Sequence, residues 1–270
     1  MIVDLHSHTL CSDGSLEPQA LADMMAQRGV EAYSITDHDT LAAYGRFTPH
    51  AGARVVAGTE INTYYRNSEV HVLGYGLRIE DPEFAAFLVE NRGHRLTRAR
   101  RMVEQLQAGG YSITMADVER HAQGSKVLGR PHVARALVAN GIASDIEAAF
   151  RGLLRRGRPG FVPSTFITPQ RASAAIRAAG GIAVLAHPGR VADASIVDDL
   201  CGAGEFDGIE IYYPLHDAHD IARFEATARE YDLLATAGAD FHDIRYHARG
   251  VGMEVEAAAL APFFERVALR

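Results

Sequence analysis

The sequence predicts an α/β protein in which helices cover parallel strands and an all-helical insertion interrupts them. Short apolar runs of strand length alternate with segments of helical periodicity at both ends of the chain. The middle of the chain shows helical patterns only. Histidines and carboxylates recur at or just past the ends of predicted strands, and in a closed parallel barrel these ends converge on one site. We therefore expect a barrel-like domain with a helical cap.

Composition places the chain among large globular enzymes or binding proteins. Its 270 residues, of which 47% are hydrophobic, suffice for one large domain or for a domain with an insertion. Two cysteines, Cys11 and Cys201, are too few for a disulfide framework or a thiolate metal site. Neither a signal segment nor an apolar run of the roughly 20 residues that span a membrane is apparent. We expect a cytoplasmic protein without a membrane partner.

The first 80 residues follow a β-α-β-α-β order, which indicates parallel strands with helices outside. The first helix, predicted over residues 17–28, has Pro18 in its first turn and Gly29 as its stop signal. A short helix is predicted over residues 41–46. The strands of this part are predicted over residues 2–5, 32–36, 54–57 and 70–75.

Residues 81–164 break the alternation, and we predict that they form the helical insertion. One long helix is expected over residues 82–107 and another over 131–138. Two shorter helices are expected to begin at capping-box patterns, Thr114-x-x-Asp117 and Ser144-x-x-Glu147.

The alternation resumes near residue 168, so residues 1–80 and 165–270 are predicted to build one barrel domain around the insertion. The helices of this part are predicted over residues 169–179, 196–203 and 218–230. The strands are predicted over residues 182–186, 208–213, 233–237 and 251–255.

Positive charge is concentrated in the predicted insertion. From Arg92 to Arg158 there are 13 lysines and arginines against 5 acidic residues, whereas the whole chain carries a net charge of −7. This asymmetry predicts that an anionic ligand approaches the cap side. The alternative is that these arginines lie on solvated helix faces.

Nine side chains are candidate metal ligands. His6 and His8 are two residues apart at the end of the first strand, so they point to the same side. Imidazole and carboxylate together suit Zn²⁺, Mn²⁺ or Fe²⁺, and nine ligands exceed what one ion can use. A cluster of two or three ions would lower the pKa of a bridging water and favour a dianion such as a phosphate monoester. The nine are His6, His8, Asp13, His38, Glu60, His71, His187, Asp240 and His242.

These residues occur in motifs that resemble the PHP (polymerase and histidinol phosphatase) superfamily in order over nearly the whole chain. The motifs are His6-Ser7-His8, Ser12-Asp13-Gly14, Thr36-Asp37-His38, Gly58-x-Glu60, His71-Val72-Leu73-Gly74, Ala186-His187-Pro188 and Asp240-x-His242. The resemblance implies a distorted seven-stranded β/α barrel, (β/α)7, that holds three divalent ions, with Mn²⁺ expected first and Fe²⁺ or Zn²⁺ as alternatives.

The resemblance also implies how the ligands divide among the ions. His6, His8, Glu60 and Asp240 would hold the first ion. Glu60 would bridge to the second ion, which His71 and His187 would also hold. The third ion would be held by Asp13, His38 and His242. A hydroxide bridging the first two ions would attack phosphorus, so Glu60 and Asp240 are predicted catalytic residues.

Within the superfamily, the insertion is similar to that of 3′,5′-nucleoside bisphosphate phosphatases. The expected reaction converts adenosine 3′,5′-bisphosphate to the 5′-monophosphate and inorganic phosphate. Arg130 and Arg158 are predicted to bind substrate phosphates because guanidinium groups match phosphate geometry. His132 is a further predicted substrate contact, and His216 is predicted to contact phosphate or to protonate the leaving oxygen. The similar features are residues 129–135, 157–163 and 210–214.

Three alternative functions remain open at this point. The same site would serve a 5′-3′ exonuclease that acts on short RNA or DNA oligonucleotides, with the basic cap guiding several nucleotides. It would also serve a histidinol-phosphate-type phosphatase, although such enzymes usually lack the Arg-Pro-His element at Arg130. A PHP module that binds metal without catalysis belongs to another class, and such modules usually lose ligands.

Overall fold

The computed structural model describes residues 1–164, 167–245 and 250–268. It is a mixed α/β structure, and the sequence predicted all of the described strands except the fourth. The strands are β1 (Ile2–Asp4), β2 (Ala32–Tyr33), β3 (Arg54–Val55), β4 (Gly58–Tyr65), β5 (Ser68–Tyr75), β6 (Ile182–Leu185), β7 (Gly208–Tyr212), β8 (Leu234–Ala237) and β9 (Met253–Glu254).

Apart from the last helix, which was not predicted, the helices of the described residues follow the predicted alternation, and the four in the middle of the chain follow one another without an intervening strand. A 3₁₀ turn over Pro188–Arg190 follows β6. The helices are α1 (Pro18–Gln27), α2 (Pro82–Ala108), α3 (Met115–Arg120), α4 (Arg130–Ala139), α5 (Ile146–Arg151), α6 (Pro169–Ala178), α7 (Ala194–Gly202), α8 (Ala218–Glu230) and α9 (Ala257–Ala268).

Two local predictions were wrong. Residues 41–46 form turns, because Tyr44 N–H and Arg46 N–H donate to carbonyls three residues back rather than four. The cap of α5 is Asp145, whose carboxylate accepts from the N–H of Ala148 at 2.7 Å, and not the preceding serine. The predicted capping box at Thr114 and Asp117 is present.

The strands form two sheets, in the orders β3-β2-β1-β9 and β4-β5-β6-β7-β8. The pairs β1–β2, β2–β3, β6–β7 and β7–β8 are parallel, as predicted. The pairs β4–β5, β5–β6 and β1–β9 are antiparallel, which the alternation did not predict. The β4–β5 hairpin was missed because β4 begins at a glycine and carries polar residues.

The predicted closed barrel is not confirmed, since the described strands make two separate sheets. Backbone hydrogen bonds nevertheless join the sheets at two seams. At one seam Leu5 N–H donates to the carbonyl of Ala237 at 2.9 Å, and at the other Glu60 N–H donates to that of Thr36 at 3.0 Å. The chain segments that follow β1, β2 and β8 therefore meet the hairpin at one side of the molecule.

The apolar core has separate parts under different helices. Residues from α6, α7 and α8 pack on the five-stranded sheet, and residues from α9 pack where β1 and β8 approach each other. The helical segment has a cluster of its own, which includes Met102, Val133 and Leu137. The division into a barrel domain and a cap stays a prediction, and its boundary at residue 165 lies outside the described residues. No helix in the described part of the chain is long and apolar enough to cross a membrane.

One seam depends on a residue without a side chain. A Cβ added at Gly238 would lie 2.3 Å from Cβ and 2.6 Å from the backbone nitrogen of His6. We expect Gly238→Ala to lower the free energy of unfolding by about 1–3 kcal/mol, because the two strand ends would have to separate. Urea denaturation measures this change.

Gly93→Ala is the matched control for this prediction. Gly93 lies inside α2 and an added Cβ would meet no atom within 4 Å. This substitution should stabilise the protein by about 0.5–1 kcal/mol, because alanine favours the helix. Equal unfolding curves for the two variants would contradict the close approach at Gly238.

Candidate metal centre

The structure brings all nine predicted ligands together at the side where the segments after β1, β2 and β8 meet the hairpin. Their ligand atoms form three overlapping groups, within each of which the atoms lie within 4.8 Å of one another. The groups are His6, His8, Glu60 and Asp240; Glu60, His71 and His187; and His8, Asp13, His38 and His242.

Two of these residues are not at strand ends, where the sequence analysis placed them. Glu60 is the third residue of β4, and His71 lies in the middle of β5. In the hairpin, Glu60 pairs with Leu73, and His71 pairs with Asn62. Side chains two apart on a strand, and those of directly paired residues, project from the same face of a sheet. Glu60 and His71 therefore share the face that the loops reach.

Glu60 is the centre of the arrangement. One of its carboxylate oxygens, Oε1, lies 2.7 Å from Nδ1 of His71 and 3.2 Å from Nε2 of His187. Its other oxygen, Oε2, lies 3.1–3.4 Å from ring nitrogens of His6, His8 and His38. The side chain of Glu60 is 1% exposed. A buried carboxylate that touches five imidazoles is the residue that the groups of candidate ligands share most closely.

Asp240 and Asp13 lie on two sides of this centre. Oδ1 of Asp240 is 3.3 Å from Nε2 of His6 and 3.2 Å from Nε2 of His8. Asp13 is 3.4 Å from Nε2 of His242. The backbone of Asp240 has a positive φ of 53°, an uncommon conformation for a residue with a side chain. Such conformations cluster at functional sites.

The carboxylates and imidazoles of the cluster interact strongly with one another. Burial raises the pKa of Glu60, but the charges of His71, His38 and His6 outweigh burial and hold the pKa well below its usual range. Burial lowers the pKa of His8, yet the carboxylates of Asp240 and Glu60, each 3.2 Å from its Nε2, raise it to about 10. Three carboxylates in a buried space therefore demand positive charge.

The donor set fits divalent metal ions. Several buried ring nitrogens of the cluster have no hydrogen-bond partner among the described residues, although such groups are nearly always paired. Imidazole nitrogens with carboxylates are ligands that Mn²⁺, Fe²⁺ and Zn²⁺ accept. The unpaired atoms are Nε2 of His6, Nδ1 and Nε2 of His8, Nδ1 of His38 and Nδ1 of His187.

Glu210 is a positioning residue that the sequence analysis did not assign. It lies in β7, is fully buried, and its carboxylate is 3.1 Å from Nδ1 of His6. It also accepts the N–H of His187 at 2.7 Å. Hydrogen bonds of this kind direct the other ring nitrogen of a histidine towards a metal. The clue in the sequence was an acidic residue inside an apolar strand.

Arg95 is the second functional candidate that sequence reasoning missed. It lies on α2 and forms an ion pair with the buried carboxylate of Asp39, the residue after His38. Burial lowers the pKa of Arg95, but the charges of Asp39, Asp13 and Glu60 raise it overall. Its Nη2 is buried and has no hydrogen-bond partner among the described residues. A guanidinium donor is thus available beside the cluster.

The residues predicted to bind substrate lie in different surroundings and do not form one group. Arg130 donates to Glu69 at 2.9 Å, close to the hairpin face of the cluster. Arg158 is exposed on a turn that follows α5. His132 is 1% exposed, its Nδ1 accepts the N–H of Gly129 at 3.1 Å, and burial lowers its pKa to about 4.

Backbone groups hold the ring of His216, and its predicted contact with substrate stays a prediction. Its Nδ1 bonds to the carbonyl of Ile211 at 2.8 Å, and its Nε2 accepts the N–H of Gly189 at 3.2 Å. Its ring also packs against Phe224, with the ring centroids 4.9 Å apart. Both nitrogens are therefore engaged by backbone groups, and neither is directed at the cluster.

Curated relatives match the chain over most of its length. The 3′,5′-nucleoside bisphosphate phosphatase of Chromobacterium violaceum is 33% identical over 259 residues, which are 93% of this chain and 90% of the relative. The 5′-3′ exoribonuclease Rnm of Escherichia coli is 35% identical over 251 residues, which are 90% of this chain and 85% of the relative. The phosphoribosyl 1,2-cyclic phosphate 1,2-diphosphodiesterase of Eggerthella lenta is 32% identical and covers 95% and 100%. No protein-family model matches the chain.

Two solved structures also resemble the chain over nearly its whole length. A sulfate-bound amidohydrolase from C. violaceum has a TM-score of 0.88 at 30% identity and covers 99% of this chain and 96% of its own. A protein from Bifidobacterium adolescentis described as a metal-dependent phosphoesterase has a TM-score of 0.83 at 27% identity and covers 98% and 96%. The chain belongs to the PHP family of metal-dependent phosphoesterases. It is a phosphoric ester hydrolase.

Proposed function

We propose that the protein is a metal-dependent phosphomonoesterase that removes the 3′-phosphate from nucleoside 3′,5′-bisphosphates. The observation that carries the proposal is the buried cluster of nine ligands around Glu60, beside which Arg95 presents a free donor. The similarity to the C. violaceum bisphosphate phosphatase supports the choice of substrate.

The groups of neighbouring side chains support the division of ligands that the family resemblance implies, although His8 also lies with Asp13, His38 and His242. His6, His8, Glu60 and Asp240 would hold one ion, Glu60 with His71 and His187 a second, and Asp13, His38 and His242 a third, and we propose Mn²⁺ for all three. When bound, such ions lower the pKa of water and neutralise phosphoryl oxygens. Glu210 keeps His6 and His187 in place, and the Arg95 pair with Asp39 keeps the loop after His38 against α2.

The substrate would enter with its 3′-phosphate at the cluster. Water adds to phosphorus, the bond to the ribose 3′ oxygen breaks, and that oxygen takes up a proton, which yields the 5′-monophosphate and inorganic phosphate. Arg95 would donate to a phosphoryl oxygen, because its Nη2 is buried and unpaired near Glu60. Arg130 would contact the 5′-phosphate, since it lies with Glu69 on the same side of the hairpin.

Metal removal followed by a substrate panel tests the proposal. Dialysis against EDTA should abolish phosphate release, because the imidazoles and carboxylates of the cluster are proposed to act only through the ions that they hold. Adding Mn²⁺ should restore phosphate release. Adenosine 3′,5′-bisphosphate should be hydrolysed with a larger kcat/KM than 3′-AMP, 5′-AMP or histidinol phosphate. Activity that survives EDTA, or a preference for histidinol phosphate, would contradict the proposal.

A 5′-3′ exonuclease is the second candidate. The relatives of E. coli and Salmonella typhimurium that carry this activity in their names are 35% and 33% identical to the chain. The excess of positive charge from Arg92 to Arg158 also suits a longer anion. Adding a 5′-phosphorylated trinucleotide to the same panel separates the two activities.

A further inference from the structure

We propose that the protein has a binding surface for the nucleotides of a single-stranded oligonucleotide that extend beyond the reacting end. We call it the hairpin-tip surface, and it consists of Tyr64, Asn67, Arg155, Arg156 and Phe161. The inference rests on the proposed function, because it assumes that the reacting phosphate lies at the metal cluster.

The hairpin-tip surface continues the face that carries the cluster. In β4, Glu60, Asn62 and Tyr64 are two residues apart and project from the same face. The register pairs Tyr64 with Glu69 and Asn62 with His71, so these partners also share this face. The face that begins at the metal ligands therefore reaches the tip of the hairpin.

Arginines follow this face from the cluster to the tip. Arg95 pairs with Asp39, the residue after the candidate ligand His38, and Arg98, one turn later on α2, pairs with Glu69. Arg130 donates to the same carboxylate. Beyond Glu69, Nη2 of Arg156 donates to the hydroxyl of Tyr64 at 3.2 Å and to the carbonyl of Asn67 at 2.7 Å.

The turn that supplies Arg155 and Arg156 is ordered by its own backbone. Gly160 N–H donates to the carbonyl of Leu153 at 3.0 Å, and the side chain of Leu154 is fully buried in the core of the helical segment. Residues 151–161 contain four arginines and no acidic residue. In the described part of the chain, no carboxylate forms an ion pair with the arginines of this turn that follow Arg151.

Rigid arginines beside aromatic rings suit single-stranded nucleic acid. The guanidinium of Arg156 lies 5.9 Å from the centroid of the Phe161 ring, and Phe161 and Tyr64 are half-buried with part of their surface accessible. Guanidinium groups bind phosphates, and aromatic rings stack on bases without regard to sequence. The hairpin-tip surface combines guanidinium groups with aromatic rings, and its arginines have no acidic partner among the described residues.

The distance makes this surface relevant to oligonucleotides and not to mononucleotides. Glu60 and Tyr64 are four residues apart on a strand, which is about 13 Å at roughly 3.3 Å per residue. Stacked nucleotides rise about 3.4 Å each, so several of them separate the two positions. A nucleoside bisphosphate held at the cluster does not reach the tip.

The double substitution Arg155→Gln/Arg156→Gln tests the inference, with Arg100→Gln/Arg101→Gln as the charge-matched control. Arg100 and Arg101 are exposed on α2. For the Mn²⁺-loaded test variant we expect the ratio of kcat/KM for a 5′-phosphorylated hexanucleotide, which is long enough to reach the tip, to kcat/KM for adenosine 3′,5′-bisphosphate to fall about tenfold. The control should keep the wild-type ratio. Tyr64→Leu should lower the ratio by at least fivefold, and Tyr64→Phe, which keeps the ring, should not.

Direct binding gives a second readout that does not need hydrolysis. The probe is fluorescein-labelled decathymidylate with phosphorothioate linkages, and its anisotropy is measured against salt concentration. Loss of two phosphate contacts should reduce the slope of log Kd against log salt by about 1.4 for the test variant. The control variant should keep the wild-type slope.

The outcomes are distinguishable. Equal losses in the test and control variants would show a general charge effect and overturn the inference, as would wild-type protein that does not bind the probe. If the test variant alone loses the slope but the wild type hydrolyses neither substrate, the proposed function fails while the hairpin-tip surface is supported. Thermal melts that match the wild type confirm that each variant is folded.

Discussion

Replacing Glu60 by glutamine is expected to lower kcat/KM by at least about 10³-fold and to reduce the metal content of the protein. The carboxylate contacts ring nitrogens of five histidines and is buried, so no neighbouring group or water can take its place. An amide has the same size but lacks the negative charge that two ions would share. Phosphate release and metal analysis by mass spectrometry measure the two effects.

Glu265→Gln is the control for Glu60→Gln. Glu265 is exposed on α9, outside the cluster, and the same chemical change there should leave activity and metal content at wild-type levels. Full activity of Glu60→Gln would instead favour a PHP module that binds metal without catalysis, and it would remove the basis of the proposed reaction.

Replacing Arg95 by methionine is expected to lower kcat/KM for the bisphosphate by about 10²-fold, mainly through a higher KM. Methionine keeps much of the apolar stem but removes the guanidinium, and with it the only buried Nη2 that we assign to the phosphoryl oxygens. The ion pair with Asp39 is lost as well, so the effect on the loop has to be separated from the effect on substrate.

The variant Arg92→Met separates the effect on the loop from the effect on substrate binding. Arg92 lies one turn earlier on α2 and donates to the backbone carbonyl of Asp39 at 2.8 Å, so it supports the same loop. If Arg95 acts on the phosphate, only its substitution should raise KM strongly, and inhibition by inorganic phosphate should weaken in that variant alone. Equal kinetic losses in the two variants would show that both residues act by holding the loop.

The ligand set could be predicted from the sequence because it consists of chemically distinctive residues in short motifs. His6 and His8 share one strand end, and the relative positions of such neighbours follow from the local backbone alone. The alternation of strands and helices was predictable for the same reason, since apolar periodicity is a local property. The error at residues 41–46 shows the limit of periodicity in short segments.

Other features of the site depended on contacts between distant parts of the chain. The role of Glu210 arises because β7 places it beside His6, which is 204 positions earlier. Arg95 is near enough to Glu60 for that carboxylate to raise its pKa, because α2 packs over the loop that follows β2. His216 was predicted to act on substrate, but the turn after β7 directs its nitrogens to backbone groups.

By itself, the sequence determined which side chains are available to hold cations and most of the segments that become strands or helices, because both properties belong to residues close together in the chain. Only the tertiary structure decided that β4 and β5 pair antiparallel, that Glu60 lies at the centre, and that the same face runs on to Tyr64. Strand register and helix packing are set by side chains that meet only after the chain has folded.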